Sequence, residues 1–276
     1  ALLAESVPAN LRGITFGLHR SMDNAGAVVG PLLAFFLLST GVPLRDIFLW
    51  AALPAAITLA LALNLKEPAT KEIVTNTGFS WNLKLMPSEF KRYLLVVSLF
   101  ALSNSSDMFL LLRAREIGVP QEQIPLLWAS ISLITTLFGT PLSALSDRFS
   151  RKYFIFISWA VFAFFYSAMG YVNLTVTMLC GLFVLYGLFK AATEGVEKAL
   201  VADLAPAGLM GTAFGWFNLA SGLMLLPASI VFGYLYEKVG PTSAFLFSGC
   251  CSSVAAILLA TWVFRGENKE ENKKPK

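Results

Sequence analysis

Apolar residues run in long blocks along this chain, broken by short polar stretches. A helix needs about 20 mostly apolar residues to cross a hydrocarbon core about 30 Å thick, because it rises about 1.5 Å per residue. Eight blocks qualify: 13–39, 46–65, 93–117, 124–146, 153–171, 174–198, 211–236 and 241–264. The pattern predicts an all-α membrane protein with eight transmembrane helices. Most of the joints carry turn residues, as in Gly41-Val42-Pro43, Gly118-Val119-Pro120, Gly170-Tyr171-Val172-Asn173 and Gly240-Pro241, so consecutive helices should run antiparallel. The stretch 66–92 is longer, polar and basic, with Pro68, Gly78 and Pro87, and is expected to link a unit at 1–65 to a six-helix unit at 93–264. The tail, 265–276, is too polar to bury a core and is expected to be disordered.

Composition supports the membrane reading. Hydrophobic residues make up 56% and charged residues 14%, against about 25% charge in an ordinary soluble domain. Cys180, Cys250 and Cys251 lie inside apolar blocks without metal-ligand spacing, so neither a disulfide framework nor a metal site is expected. The net charge of +4 is scattered between the blocks and forms no stripe, which argues against a nucleic-acid partner. Counted by alternating side, 14 Lys and Arg fall on the side of Arg12, the 66–92 stretch, the 147–152 loop and the tail, and four fall on the other. The positive-inside rule therefore predicts a cytoplasmic linker and C-terminus. The chain opens on alanine without a basic leader and is expected to be the later part of a longer protein.

An internal repeat sharpens this. Residues 1–17, ALLAESVPANLRGITFG, align with 199–215, ALVADLAPAGLMGTAFG, with nine identities, and Leu3/Val201 and Glu5/Asp203 are conservative pairs. The first and seventh spans thus hold equivalent places in two repeats. Within its own repeat the seventh span is preceded by four complete spans, the third to the sixth, whereas none precedes the first, so the whole protein is expected to have twelve. Two six-helix repeats joined by a long cytoplasmic linker resemble the major facilitator superfamily. The loop between the fourth and fifth spans adds residue-level similarity. Ser143-Ala144-Leu145-Ser146-Asp147-Arg148-Phe149-Ser150-Arg151-Lys152 is similar to the family's G-x-L-[A/S]-D-R-x-G-R-[K/R], with serine at both glycine positions. In the first span, Gly26-Ala27-Val28-Val29-Gly30-Pro31 resembles the G-x-x-x-G-P element of the family's proton-driven antiporters, although Ala34 and Phe35 stand where its trailing glycines would be.

The resemblance implies the last two helices of an N-terminal bundle followed by a six-helix C-terminal bundle. It implies a secondary transporter in the plasma or inner membrane, moving a small solute by alternating access, driven by protons and directed outward. Uptake by symport, or a non-transporting membrane sensor or assembly protein, would use the same scaffold. The complete protein is expected to be a monomer embedded in lipid. No cofactor is implied, and no phosphate loop, zinc spacing or hydrolase elbow points to an enzyme.

Ionisable side chains at membrane depth are costly unless paired or wet, so each is a candidate for function. Those inside the spans fall in the first, third and sixth. Arg20 and Asp23 share a helix face beside His19, either as a structural ion pair or as a site handling substrate or protons. His19 is either a packing residue or a group that exchanges protons near neutral pH. Asn104 and Asp107 share a face in the polar run Ser103-Asn104-Ser105-Ser106-Asp107, and Asp107 has no cation in the interior of its own span. Lys190, Glu194 and Lys198 form an i, i+4 ladder, so Lys190 is expected to pair with Glu194, while Glu197 and Lys198 are expected to be solvated near the helix end. Asp107 and Glu194 are the candidate proton-coupling carboxylates, with Lys190 as gate or substrate anchor. Asp147, Arg148, Arg151 and Lys152 are the candidate latch, and Gly26, Gly30 and Pro31 are expected to serve close helix packing.

Overall fold

The computed structural model describes residues 2–64, 83–120, 123–206 and 208–263. The expected linker up to residue 82 and the expected tail lie outside them. Among the described residues every regular element is helical. The elements are α1 (Leu2–Glu5), α2 (Arg12–Ser39), α3 (Leu44–Leu63), α4 (Ser88–Ser103), α5 (Met108–Glu116), α6 (Ile124–Arg148), α7 (Arg151–Met169), α8 (Val176–Leu204), α9 (Met210–Lys238) and α10 (Pro241–Leu258). A π-helical turn, Leu259–Val263, continues α10. Seven spans are long and apolar enough to cross a membrane, α4 and α5 together making one of them. The place of the first expected span is held by α2, a continuous helix of 28 residues.

Local chemistry sets several of the ends. Thr175 caps α8, its Oγ1 accepting from the Met178 amide at 3.3 Å. Gly240, at φ +119°, turns the chain into Pro241, which opens α10 where a missing N–H costs nothing. The third expected span is not continuous. It breaks at Asn104, whose backbone is non-helical (φ −93°, ψ 78°), and restarts at Met108. Short polar side chains compete with the helical ladder for backbone groups, and here they do so at membrane depth. The freed Ser106 amide is taken up by Ser229 Oγ of α9 at 3.3 Å, so the break stays satisfied inside protein.

The core lies among α4, α7, α8, α9 and α10 and is largely aromatic. Phe100 stacks on Trp159 at 4.3 Å, Phe165 on Tyr186 at 4.7 Å, and Phe232 meets Phe245 edge-on at 5.1 Å. Outside it, α2 lies along α6 and α8 and touches α3 only slightly. Along α3 every side chain from 48 to 64 is exposed, an apolar surface suited to lipid or further helices.

The α2 contact is made by small residues at i, i+4 spacing: Gly13, Gly17 and Ser21. A Cβ on Gly17 would sit 2.4 Å from Ser143 Cβ and 2.9 Å from the Gly139 carbonyl of α6. Among the described residues nothing lies within 4 Å of such an atom at Gly26 or Gly30, because the close approach occupies the other half of α2. Gly17→Ala should force α2 off α6 at a cost of about 1–3 kcal/mol, read as a lower melting temperature in detergent, whereas Gly26→Ala should leave it unchanged. Equal effects would place the tight helix contact elsewhere.

The two copies of the repeated segment meet each other. Ala4 and Ala202, equivalent across the repeat, are both fully buried in one small apolar cluster, and the equivalent rings of Phe16 and Phe214 lie 5.9 Å apart. Equivalent residues of the two copies thus pack together.

Candidate functional site

Two polar clusters join α2 to the rest of the bundle, one midway along the helices and one at the end marked by Arg12. The first is a chain of alternating charge. Arg20 of α2 forks onto Glu194 of α8, its Nη2 donating to Oε1 at 2.9 Å while its Nε donates to Oε2. On one side Arg20 also lies 3.8 Å from Asp23, and His19 Nδ1 lies 3.5 Å from the same carboxylate. On the other side, Lys190 Nζ is 3.9 Å from Glu194 Oε1 but 3.3 Å from Asp107 Oδ2. Asp107 Oδ1 accepts from the Tyr186 hydroxyl at 2.6 Å. The order is Asp23, Arg20, Glu194, Lys190, Asp107, reaching from α2 through α8 to the break between α4 and α5.

Folding adds partners that spacing along one helix does not give. Asp107, without a cation in the interior of its own span, receives Lys190 of α8. Lys190 keeps its i, i+4 contact with Glu194 but lies closer to Asp107, while Glu194 is met more closely by Arg20. The i, i+4 spacing put Lys190 and Glu194 within reach, but the helix break turns Asp107 toward α8, and the close packing of α2 delivers a guanidinium with a fork geometry that an ammonium cannot match. Lys190 Nζ also lies 5.6 Å from the ring centroids of both Trp128 and Tyr186, so the ammonium sits among two carboxylates and two aromatic faces. Asn104 is the C-cap of α4, its backbone N–H donating to the Ala101 carbonyl at 3.1 Å.

The second cluster is built on the α6–α7 loop. Asp147 accepts from the Gly13 and Ile14 amides at 2.8 Å each, one to each carboxylate oxygen. These are orphan donors of the first turn of α2, where the helix dipole favours an anion. Arg151 Nη2 pairs with Asp147 at 2.6 Å, donates to the Ala9 carbonyl at 2.7 Å, and its Nη1 meets Asp203. Arg12 reaches the other Asp203 oxygen at 3.1 Å and the Ala202 carbonyl at 3.1 Å. Asp147, Arg151, Lys152, Asp203 and Glu89 line a cleft of about 370 Å³. Lys152 is buried there, whereas Arg148 is exposed and joins no hydrogen bond or ion pair among the described residues.

The loop motif pointed to Asp147 and Arg151. It could not point to Asp203 or Arg12, which lie in the two copies of the repeat. The repeat alignment, pairing Glu5 with Asp203, was the available signal. Glu197, expected to be solvated, is half-buried and accepts from the Trp159 indole at 2.9 Å. No group of three or more possible metal ligands occurs among the described residues.

The sequence pattern of the Major Facilitator Superfamily matches residues 93–276. An MFS-type transporter of Methanocaldococcus jannaschii is 33% identical over 269 residues, covering 94% of this chain and 66% of that protein. A second MFS-type transporter of the same organism is 28% identical over 148 residues, covering 52% of this chain and 37% of the relative. The class B tetracycline resistance protein of Escherichia coli is 25% identical over 146 residues, covering 53% and 36%. The chain therefore spans about two-thirds of the first relative's length and little more than a third of the other two.

Proposed function

Because this chain belongs to the major facilitator superfamily, we propose that its protein is a secondary transporter that exports a small organic solute in exchange for protons. The observation that carries this reading is the alternating charge chain between α2 and α8. It ties what we assign as the end of the N-terminal bundle, 1–65, to the C-terminal bundle, 93–264. Alternating access requires those bundles to separate on one side, so the ion pairs across them act as a gate. The similarity to a tetracycline resistance protein, together with the Gly26–Pro31 run, supports export.

Coupling follows from Lys190 being shared. Its ammonium lies between Asp107 and Glu194. A proton arriving on Asp107 releases Lys190 toward Glu194, which then holds Arg20 less tightly and loosens α2 from α8. Solute meeting Lys190, Trp128 and Tyr186 would compete for the same contacts. At the other cluster, on the side we assign to the cytoplasm, Asp147 and Arg151 latch α2 shut.

Proteoliposomes of the full-length protein, tested for solute-dependent proton movement, check this. Movement in neither direction would favour a sensor or assembly protein, and cotransport in the same direction would favour uptake.

Asp147→Asn keeps the shape but removes the charge that both the α2 amides and Arg151 use. It should shift the closed-to-open ratio at the latch about tenfold, equivalent to about 1.4 kcal/mol, while solute affinity is retained. Distances between spin labels placed across the latch read the populations, and unchanged populations would reject the latch.

A further inference from the structure

On α8, Tyr186, Lys190 and Glu194 stand at successive i, i+4 positions on a single helix face. The two charged members belong to the chain described above, and the tyrosine lies at its far end, beside Asp107. Its hydroxyl donates to Asp107 Oδ1 at 2.6 Å, while Lys190 Nζ donates to Oδ2 of the same carboxylate at 3.3 Å. Each carboxylate oxygen thus has one partner from α8. The tyrosine bond has the short length of an O–H donor on an ionised acceptor.

The two partners differ in freedom. Tyr186 is 1% exposed, and its ring is stacked on Phe165 of α7 at 4.7 Å and lies 5.8 Å from Phe189. Ring packing on both neighbours fixes where the hydroxyl can be. Lys190 carries its ammonium on a flexible four-carbon stem, and Glu194 Oε1 lies 3.9 Å away on its other side. Asp107 has little to hold it on its own span. It is the N-cap of α5, reached through the non-helical backbone at Asn104, and its side chain caps no amide of the helix it opens. Without a fixed partner the carboxylate is free to turn and follow Lys190 toward Glu194.

We propose that Tyr186 is a positioning residue of the coupling step: it pins Asp107 so that Lys190 must choose between two separate carboxylates. This rests on the transport reading and deepens it. While Asp107 is ionised, the pinned Oδ2 keeps Lys190 nearer to itself than to Glu194, and Glu194 keeps Arg20, so the gate stays shut. A proton from water adds to Oδ2, since Oδ1 is taken by the tyrosine, and no other covalent bond forms or breaks. Lys190 then crosses to Glu194 and the gate opens. With Asp107 unpinned, Lys190 bridges both carboxylates in either protonation state. The gate then opens with or without the proton, and protons cross with no solute moving the other way.

The probe is therefore the proton itself. Full-length protein in solute-free vesicles is given an imposed pH gradient, and a membrane-impermeant pH dye in the lumen follows its decay. Tyr186→Phe keeps the ring and its packing but loses the hydroxyl, and should leak protons about tenfold faster than wild type, the worth of one hydrogen bond to an ionised group. Tyr166→Phe is the matched control: Tyr166 is likewise fully buried and stacked, at 4.3 Å on Phe162, but its hydroxyl makes no hydrogen bond to Asp107. It should leak like wild type. The double variant Tyr186→Phe, Asp107→Asn should return to the wild-type rate, because the leak runs through Asp107; a leak from general loosening of the bundle would survive it. A Tyr186→Phe leak equal to wild type, an equal rise in Tyr166→Phe, or a leak that persists in the double variant overturns the inference. Wild-type vesicles without solute-dependent proton movement reject the transport reading, and this inference with it. Wild-type coupling beside an unchanged leak in Tyr186→Phe rejects this inference alone.

Discussion

Asp107→Asn in the complete protein is expected to abolish uphill solute movement while leaving counterflow exchange, which needs no net proton transfer. The amide imitates a permanently protonated Asp107. It can still meet the Tyr186 hydroxyl, but it no longer holds Lys190, whose distances to Asp107 and Glu194 are 3.3 and 3.9 Å. Lys190 then settles on Glu194, and the gate loses its response to protons. For a neutral solute exchanged against one proton, a potential of 100 mV supplies about 2.3 kcal/mol, a concentration ratio of about 50. That ratio should collapse to near one in proteoliposomes under an imposed proton gradient. Uphill transport at the wild-type level would make Asp107 a structural carboxylate.

Glu194→Gln should damage both transport modes and the fold, because Glu194 is the carboxylate both central cations lean on. Removing one partner of a buried pair costs about 3–5 kcal/mol. The lower end applies here, since the Arg20 side chain is 34% exposed and can recruit water. The measurement is the melting temperature in detergent, combined with uphill and counterflow transport. The double variant Arg20→Gln, Glu194→Gln removes the orphaned guanidinium while Lys190 keeps Asp107. It should recover much of the stability but not the gating. A double variant no more stable than Glu194→Gln alone would show that Arg20 and Glu194 are not energetically coupled.

The same chain shows how far the sequence can be read. The blocks of apolar residues determined an all-helical membrane protein, since lipid leaves the backbone no other way to satisfy its polar groups along a span of that length. The repeat of 1–17 at 199–215 and the 143–152 loop carried the family resemblance. The loop also identified Asp147 and Arg151, because a motif preserves which residues lie close along the chain. Helical spacing likewise placed Lys190 and Glu194 on one face.

Only the tertiary structure decided the partners. The break at 104–107 cannot be placed from hydropathy, because four polar residues in an apolar block fit a kinked, bent or interrupted helix equally well. That break turns Asp107 toward Lys190. The Gly13, Gly17 and Ser21 ridge, overlooked beside the more conspicuous Gly26 and Gly30, brings α2 close enough for Arg20 to take Glu194. Arg12 and Arg151 converge on Asp203 from positions 191 and 52 residues away. Glu197 acquires Trp159 across 38 residues of chain. Sequence spacing sets which side chains share a helix face. Which charge meets which in low dielectric is set by how the helices approach, and a shift of one side chain's reach exchanges one ion pair for another.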